Sequence, residues 1–364
     1  MRKVAFFITG LNVGGAELAM LKLVSEIKDP TIVFSLKAGG KLKSKFKNVD
    51  TQVIDLDLSV KNCVKNLQLV LKKLDENEIE IICSSLYHAD FFACFLKFVR
   101  PKLKLIWTIH NLSIGKHSVK LTTRIVAHIN SVMSYIFPSK IIYCASSAKT
   151  YHEKALHFNN RIGIIINNPI FENDLVSPSM QAISKGTIDF KVGMAARWDP
   201  VKNHRLAFEA FYRLSLEQKN TELILCGTNM NWNNSELVDL LNKFQIAEKV
   251  KLLDTLDDME TFYDLIDALL ITSLSEALPN VVIEALLHEK PVISVPVGDI
   301  PNIIRNLDTL VDYDATVIAE KILFIEKNYN NFLLNLKFFK KEGYLDQYKS
   351  KHVYTKYCEV FDAI

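Results

Sequence analysis

Short apolar runs rich in β-branched and aromatic residues alternate with amphipathic segments of helical spacing along this chain, and few architectures accommodate that pattern. The first run, Lys3 to Thr9, is unbroken. A turn, Gly10 to Gly15, follows it, and Ala16 to Ile27 then carries Leu18, Leu21, Val24 and Ile27 at helical spacing. Unbroken apolar runs are what strands covered on both faces require, so strand, turn and helix read as the opening of a doubly wound parallel sheet. Ligands of such sheets bind beyond the carboxyl ends of the strands. The turn lacks the GxGxxG spacing, which argues against a dinucleotide site.

The pattern continues with strands expected at 31–35, 52–56, 79–84, 103–109, 140–145 and 161–166, separated by helical segments. They predict a first α/β domain over residues 1–170, closed by the turn Asn167-Asn168-Pro169 and a polar linker over 172–185. A second alternation places strands at 190–194, 222–226, 249–253, 268–272 and 291–295 and helices at 204–216, 235–244, 258–266 and 280–288. It predicts a second domain over 171–345, and a length of 364 residues suits two domains better than one. The tail from Ala315 is mostly helical, and Phe338, Tyr344, Tyr348 and Tyr354 on it call for a packing surface.

An apolar share of 49% and a charged share of 23% are those of a globular protein, and no apolar run reaches the length of a spanning helix. The net charge of +3 conceals an asymmetry. Residues 1–170 hold 24 Lys and Arg against 12 Asp and Glu, a balance of +12, while the remainder holds 20 against 29, a balance of −9. The basic half predicts an anionic partner. Six scattered cysteines without a CxxC pair read as reduced core residues of a cytoplasmic protein. The opening MRKVAFFITG mimics a signal peptide, but Gly14, Gly15 and Glu17 follow at once, and a buried first strand accounts for it better.

The stretch Ser273 to Asp299 gathers the residues best suited to chemistry. Pro279 suits a first helical position, which leaves the amides of Asn280 to Val282 as donors at a positive helix end, a natural phosphate site. Glu284 lies about 6 Å further along the helix axis and Glu276 before the helix, a spacing that fits a nucleotide-sugar. Taken alone, Glu276 serves equally as a helix cap and Glu284 as a solvated acid. Arg197 and Lys202 occupy the turn after another strand, where a planar fork and a mobile point charge could clamp a diphosphate. Gly227 closes the next strand with room for a base or ribose to approach the backbone.

The motif Gly14 to Glu17 (GGAE), the strand end Thr108-Ile109-His110, the pair Arg197 and Lys202, and the acids Glu276 and Glu284 at EX7E spacing together resemble glycosyltransferase family 4. The resemblance runs over nearly the whole chain. It implies an α/β protein of GT-B architecture, with two Rossmann-like domains facing across a cleft and a last helix, within 346–364, crossing back to the first domain. It implies retaining transfer, with the acceptor held mainly by the first domain and the donor by the second. It also assigns catalytic parts to Glu276, Arg197, Lys202 and His110, donor contacts to Gly14, Gly15, Gly227, Pro279, Asn280, Val281 and Glu284, and acceptor contacts to Glu17 and Asn111. Ala277-Leu278 stands where that family usually has Gly-Phe, Asp254 where glycine is common, and Asp299 to Asn302 where a further Gly and Glu are frequent.

Asp55-Leu56-Asp57 spells the DxD of metal-dependent transferases, yet it ends an apolar strand of the first half and reads as structural. No metal and no cofactor are expected, the positive charge coming from Arg197, Lys202 and helix dipoles. The expected partners are a UDP- or GDP-sugar and a glycan or lipid-linked glycan acceptor, with no nucleic acid, since no RNA-binding motif is present. Lysines 37, 41, 43, 45 and 47, the cations Lys97, Arg100, Lys102 and Lys104, and the run 125–139, whose only charge before Lys140 could come from His128, suit a domain resting on the anionic inner face of the cytoplasmic membrane. A 2-epimerase of the same architecture, or a non-catalytic nucleotide-sugar-binding subunit, would share most of these features.

Overall fold

The computed structural model describes residues 2–47, 49, 51–58, 62–115, 119–170, 190–217, 220–256 and 258–364; the expected linker over 172–185 lies outside them. The chain divides into two compact units, residues 1–171 together with 347–364, and residues 172–346.

The first unit carries strands β1 (Val4–Ile8), β2 (Thr31–Ser35), β3 (Thr51–Asp55), β4 (Ile81–Ser85), β5 (Lys104–Ile109), β6 (Lys140–Tyr143) and β7 (Gly163–Ile165). They form one sheet in the order β3-β2-β1-β4-β5-β6-β7, parallel at every pairing. Its helices are α1 (Gly15–Ser25), α2 (Lys43–Lys47), α3 (Cys63–Glu76), α4 (Tyr87–Val99), α5 (Leu121–Met133) and α6 (Ser146–Lys154). The second unit repeats the plan with β8 (Phe190–Ala195), β9 (Thr221–Cys226), β10 (Val250–Leu252), β11 (Ala268–Ile271) and β12 (Val292–Ser294), in the order β10-β9-β8-β11-β12 and again parallel throughout. Helices α7 (His204–Glu217), α8 (Ser235–Lys243), α9 (Glu260–Leu265), α10 (Asn280–Leu287), α11 (Ile300–Ile303), α12 (Ala315–Lys327) and α13 (Tyr329–Lys341) belong to it, and α14 (Ser350–Ala363) to the first unit.

Strand order in both sheets reverses beside the first strand, between β1 and β4 and between β8 and β11, and such a reversal opens the crevice where doubly wound folds bind ligands. The inner strands are buried on both faces, while β3, β7 and β10 at sheet edges are partly exposed. Phe6 and Ile8 pack with α1, while Ala5 and Phe7 pack with α3, α4 and α5. Helix α14 lies on α1 and adds Val353, Tyr357 and Phe361 to the cluster around Phe6 and Ile8. The chain enters it through backbone bonds from Ile170 to the Tyr348 carbonyl (2.8 Å) and from Ser350 to the Ile170 carbonyl (3.1 Å).

Two expectations need correction. Tyr348 is buried and Tyr354 packs on the first unit's core, but Phe338 remains 64% exposed and Tyr344, 41% exposed, stacks on the ring of Phe339, 4.8 Å away. An outward position on α13 satisfies helical periodicity without supplying a partner. Cys63 is exposed and Cys358 half-buried, so only Cys83, Cys94, Cys144 and Cys226 are core thiols; all six are free. The helix expected from Pro279 does begin within a residue of it: Pro279 is the extended N-cap of α10, which starts at Asn280.

His152 illustrates how the first unit closes. It is fully buried among Tyr143, Tyr151 and Phe158. Its Nδ1–H donates to the Ala148 carbonyl (2.8 Å), which leaves Nε2 to accept from the Tyr87 hydroxyl (2.6 Å). Burial pulls its pKa from the ordinary 6.5 down to about 4. The unfolded chain therefore takes up a proton at a pH where the folded one does not, and the first unit should lose stability as pH falls from about 6.5 towards 4. Urea titrations across that range should show a shallower loss in His152→Gln than in the wild type; equal slopes would mean that this histidine contributes nothing to acid sensitivity.

Candidate functional site

In the second unit, small residues at the end of β8 lead into a turn whose shape Asp199 sets. Its carboxylate accepts from the amide of Val201 (2.9 Å), capping the single 3₁₀ turn Pro200–Lys202, and also from Arg197 (3.0 Å from Nε). Asn203 leaves this turn in the left-handed region at φ 52°, a conformation asparagine tolerates better than most residues. Two links fasten the turn to the end of β11: the Thr272 hydroxyl to the carbonyls of Lys202 and Asn203 (3.1 Å each), and the Leu274 amide to the Val201 carbonyl (2.7 Å).

That fastening carries Lys202 to Glu276, and Nζ stands 2.6 Å from Oε1 with both side chains mostly buried. Both expected cations are thus paired, Lys202 with Glu276 and Arg197 with Asp199, the latter pair at 2.9 Å and more open to water. Tyr313 stands beside this pair: its hydroxyl donates to the Ser273 carbonyl (3.0 Å), and burial, then the Glu276 charge, raises its pKa. The loop before α10 folds inward on Ala277 and Leu278, both buried, and Gly298 passes over it at φ 58°. A Cβ on Gly298 would strike the Glu276 carbonyl.

Glu284, one turn into α10, accepts from the hydroxyl of buried Tyr263 (2.9 Å), whose ring stacks on His288 at 4.8 Å. Helix α9 was expected from its spacing, but Tyr263 was not singled out; its only signal was a hydroxyl that must find an acceptor once the ring is buried. Of the amides expected as free donors at the start of α10, that of Val282 is committed to the Pro279 carbonyl at 3.1 Å, because the chain tightens into a turn as the helix begins. Gly227, at φ 140°, does permit a close approach, but to the chain's own backbone, since a Cβ there would meet the Ala196 carbonyl and the Arg197 amide. Beside Trp198, whose indole donates to Glu236 (3.0 Å), opens a polar recess of about 530 Å³ lined by Asn229, Asn231, Asn233 and Asn234. None of these asparagines stood out in the sequence.

In the first unit, Gly14 is the extended N-cap of α1, and the Glu17 carboxylate folds back over it, so that a Cβ on Gly14 would lie 2.5 Å from Oε2. Around Gly15 a Cβ would meet nothing within 4 Å. His110 follows β5 and is held at both nitrogens, by Asn168 Oδ1 (3.0 Å) and by Thr108 Oγ1 (3.1 Å), with Ser85 continuing the chain of hydroxyls 2.6 Å beyond. Burial lowers its pKa to about 4, so the ring is neutral near pH 7. Ala19, Met20 and Leu23 of α1 line the same small cleft. Asn111 hydrogen-bonds the Tyr87 hydroxyl. In the second unit the structure joins Lys202 to Glu276; in the first, Gly14 and Glu17 stand at the start of α1, and His110 and Asn111 follow β5. Asp55, the first acid of the DxD, receives Lys43 (2.5 Å) and the Gly39 amide (3.1 Å) and so ties a loop. Among the described residues no group of three His, Cys, Asp or Glu side chains converges as metal ligands would.

Residues 179–341 match the family model of glycosyl transferases group 1. The chain is 25% identical over 298 residues, 79% of its length and 78% of the relative's, to the GalNAc-α-(1→4)-GalNAc-α-(1→3)-diNAcBac-PP-undecaprenol α-1,4-N-acetyl-D-galactosaminyltransferase of Campylobacter jejuni subsp. jejuni serotype O:2. It is 21% identical, over all of its length and 98% of the relative's, to the O-antigen biosynthesis glycosyltransferase WclY of Escherichia coli. Among solved structures, Anabaena Alr3699/HepE in complex with UDP-glucose superposes with a TM-score of 0.85 at 18% identity, both chains being covered in full. The fold is that of the GT-B glycosyltransferases, two parallel-sheet Rossmann-like domains.

Because Gly298 holds a left-handed conformation directly against the Glu276 and Ala277 carbonyls, Gly298→Ala should destabilise the second unit by more than about 1 kcal/mol. A thermal melt unchanged from the wild type would show that the loop before α10 yields without cost.

Proposed function

We propose that this chain is a retaining glycosyltransferase that moves a hexose or N-acetylhexosamine from a UDP- or GDP-sugar to a lipid-linked or surface-polysaccharide acceptor at the cytoplasmic face of a membrane. The observation that carries this is the junction in the second unit, where Lys202, Glu276 and Glu284 collect around the start of α10 beyond the carboxyl edge of the sheet. The relatives support it through what they are named for, assembly of an undecaprenol-linked glycan and of O-antigen, and the Anabaena neighbour through its bound UDP-glucose. The assignment to family 4, with Glu276 and Glu284 as its EX7E acids, belongs to the proposal.

Transfer breaks the bond between the sugar's anomeric carbon and a diphosphate oxygen, and negative charge grows on the departing nucleotide. Preorganised cations stabilise such charge best where water is scarce. On this proposal the diphosphate displaces Glu276 from Lys202 and Asp199 from Arg197, because phosphate oxygens offer both cations stronger, multiply charged partners. Glu276, once released, accepts hydrogen bonds from the transferred sugar. Glu284, already oriented by Tyr263, does the same for the ribose, and Gly227, Pro279, Asn280 and Val281 shape the donor's bed. The acceptor hydroxyl attacks on the face the diphosphate leaves, its proton passing to the departing phosphate oxygen. Gly14, Gly15 and neutral His110 are assigned to donor contacts, Glu17 and Asn111 to the acceptor. Arg197 and Lys202 take the part a divalent metal plays elsewhere, so no metal is required.

Glu276→Gln and Lys202→Ala should each lower transfer at least about 100-fold with an unchanged fold by circular dichroism; wild-type turnover in either would remove that residue from the site. EDTA should leave the rate unchanged, and a strict need for Mg²⁺ would overturn the metal-free mechanism. Nuclear magnetic resonance of the products should show an α-configured sugar on the acceptor from an α-linked donor. A 2-epimerised nucleotide-sugar formed without acceptor would replace transfer with epimerisation.

A further inference from the structure

The outer face of α5 is apolar. Leu121, Ile125, Ile129, Val132 and Ile136 recur at three- and four-residue intervals along the helix and just past it, and all are exposed, whereas Ala127, Asn130 and Ser131 on the opposite face are buried. Helix α4 lies against α5, and both turn inner residues into one core cluster that includes Phe92, Leu96 and Ala127. Its outward side chains are Phe95, Phe98 and Val99, with Phe98 74% exposed. Scattered exposed apolar residues are ordinary, but here eight stand exposed on or just past two helices packed against each other, and exposed apolar groupings mark interaction sites.

Charge narrows the partner. The 62 residues from Phe91 to His152 contain nine Lys and Arg and no Asp or Glu. Lys102 follows the end of α4 and Lys120 is the N-cap of α5, both exposed. Arg124 adjoins the apolar ridge, and its buried Nε has no hydrogen-bond partner among the described residues. A second copy of this chain docked face to face would set cations against cations. A fluid anionic surface answers both features at once, since it accepts apolar side chains below its headgroups and cations among them. No helix among the described residues is long and apolar enough to cross a membrane, so the contact would be interfacial.

We propose that the outer faces of α4 and α5 form a membrane-docking surface that seats the first unit on an anionic bilayer. Its purpose rests on the reading of a lipid-linked acceptor given above, which it deepens by naming the elements that meet the lipid. The ridge of α5 enters the boundary between headgroups and acyl chains, and Lys102, Lys120 and Arg124 contact the phosphates.

The test is co-sedimentation of the full chain with vesicles of phosphatidylcholine alone and of phosphatidylcholine mixed with phosphatidylglycerol. The wild type should pellet with the mixed vesicles, less so as salt rises, and far less with phosphatidylcholine alone. The double variant Ile125→Ser/Val132→Ser, both sites being exposed, should keep the wild-type melting temperature and lose vesicle binding at least about tenfold. Lys102→Glu/Lys120→Glu should lose the preference for anionic vesicles. Undiminished binding by the Ile125/Val132 variant, or equal binding to both vesicles by the wild type, overturns the proposal. So does a dimer in sedimentation velocity that this variant disperses without any vesicle binding, since the face would then belong to a second copy. A thermal-shift series with UDP- and GDP-sugars separates the two readings: stabilisation without vesicle binding keeps the transferase and rejects the docking surface, and the reverse result keeps the surface and rejects the transferase.

Discussion

A parallel sheet has no face left for water. Every strand must be covered above and below, and the crossover helices that connect the strands are what cover them. Phe6 and Phe7, adjacent on β1, point to opposite faces and are both fully buried, one against α1 and the other against the α3 to α5 layer. Polar chemistry is thereby driven to the strand ends. Lys202, Glu276 and His110 all follow a carboxyl-terminal strand end, where other side chains hold them: Lys202 and Glu276 hold each other, and Asn168 and Thr108 hold His110.

This constraint also explains what could be read in advance. The stretch expected at 31–35 coincides with β2, Thr31–Ser35, because burial on both faces selects apolar side chains at its centre, while Thr31 and Ser35 at its ends spend their hydroxyls on backbone carbonyls. The expected strand at 79–84 begins two residues late, at Ile81, because the amide of Ile79 bonds the Leu74 carbonyl and closes the end of α3. Arg197, Lys202, Glu276 and Glu284 could be located by their neighbours in the chain, since each follows a strand or opens a helix. Their partners could not. Lys202 meets Glu276 across 74 positions and Glu284 meets Tyr263 across 21, contacts that depend on the order of strands in the sheet. Gly227 was legible as a position needing close approach, but not that the approaching group is the Ala196 carbonyl.

The site is electrically balanced as it stands, with Lys202 on Glu276 and Arg197 on Asp199. Ion pairs at this degree of exposure contribute little net stability. What they supply is alignment: cations held in place by carboxylates do not have to be gathered when a more highly charged anion arrives. His110 contrasts with them. Neutral, and tied at both ring nitrogens to Asn168 and Thr108, it is held in place by hydrogen bonds without charge.

Helix α14 belongs to the first unit although it follows the whole of the second in sequence. The second unit is therefore an insertion into the first, and the chain passes between them twice. As the polypeptide leaves the ribosome, residues 172–346 can collapse as soon as they emerge, whereas the hydrophobic surface beside α1 stays open until Val353, Tyr357 and Phe361 are made. The part synthesised first is the part completed last. The Arg2 guanidinium, donating to the carbonyl of Ile364, ties the segment before β1 to the residue that follows α14.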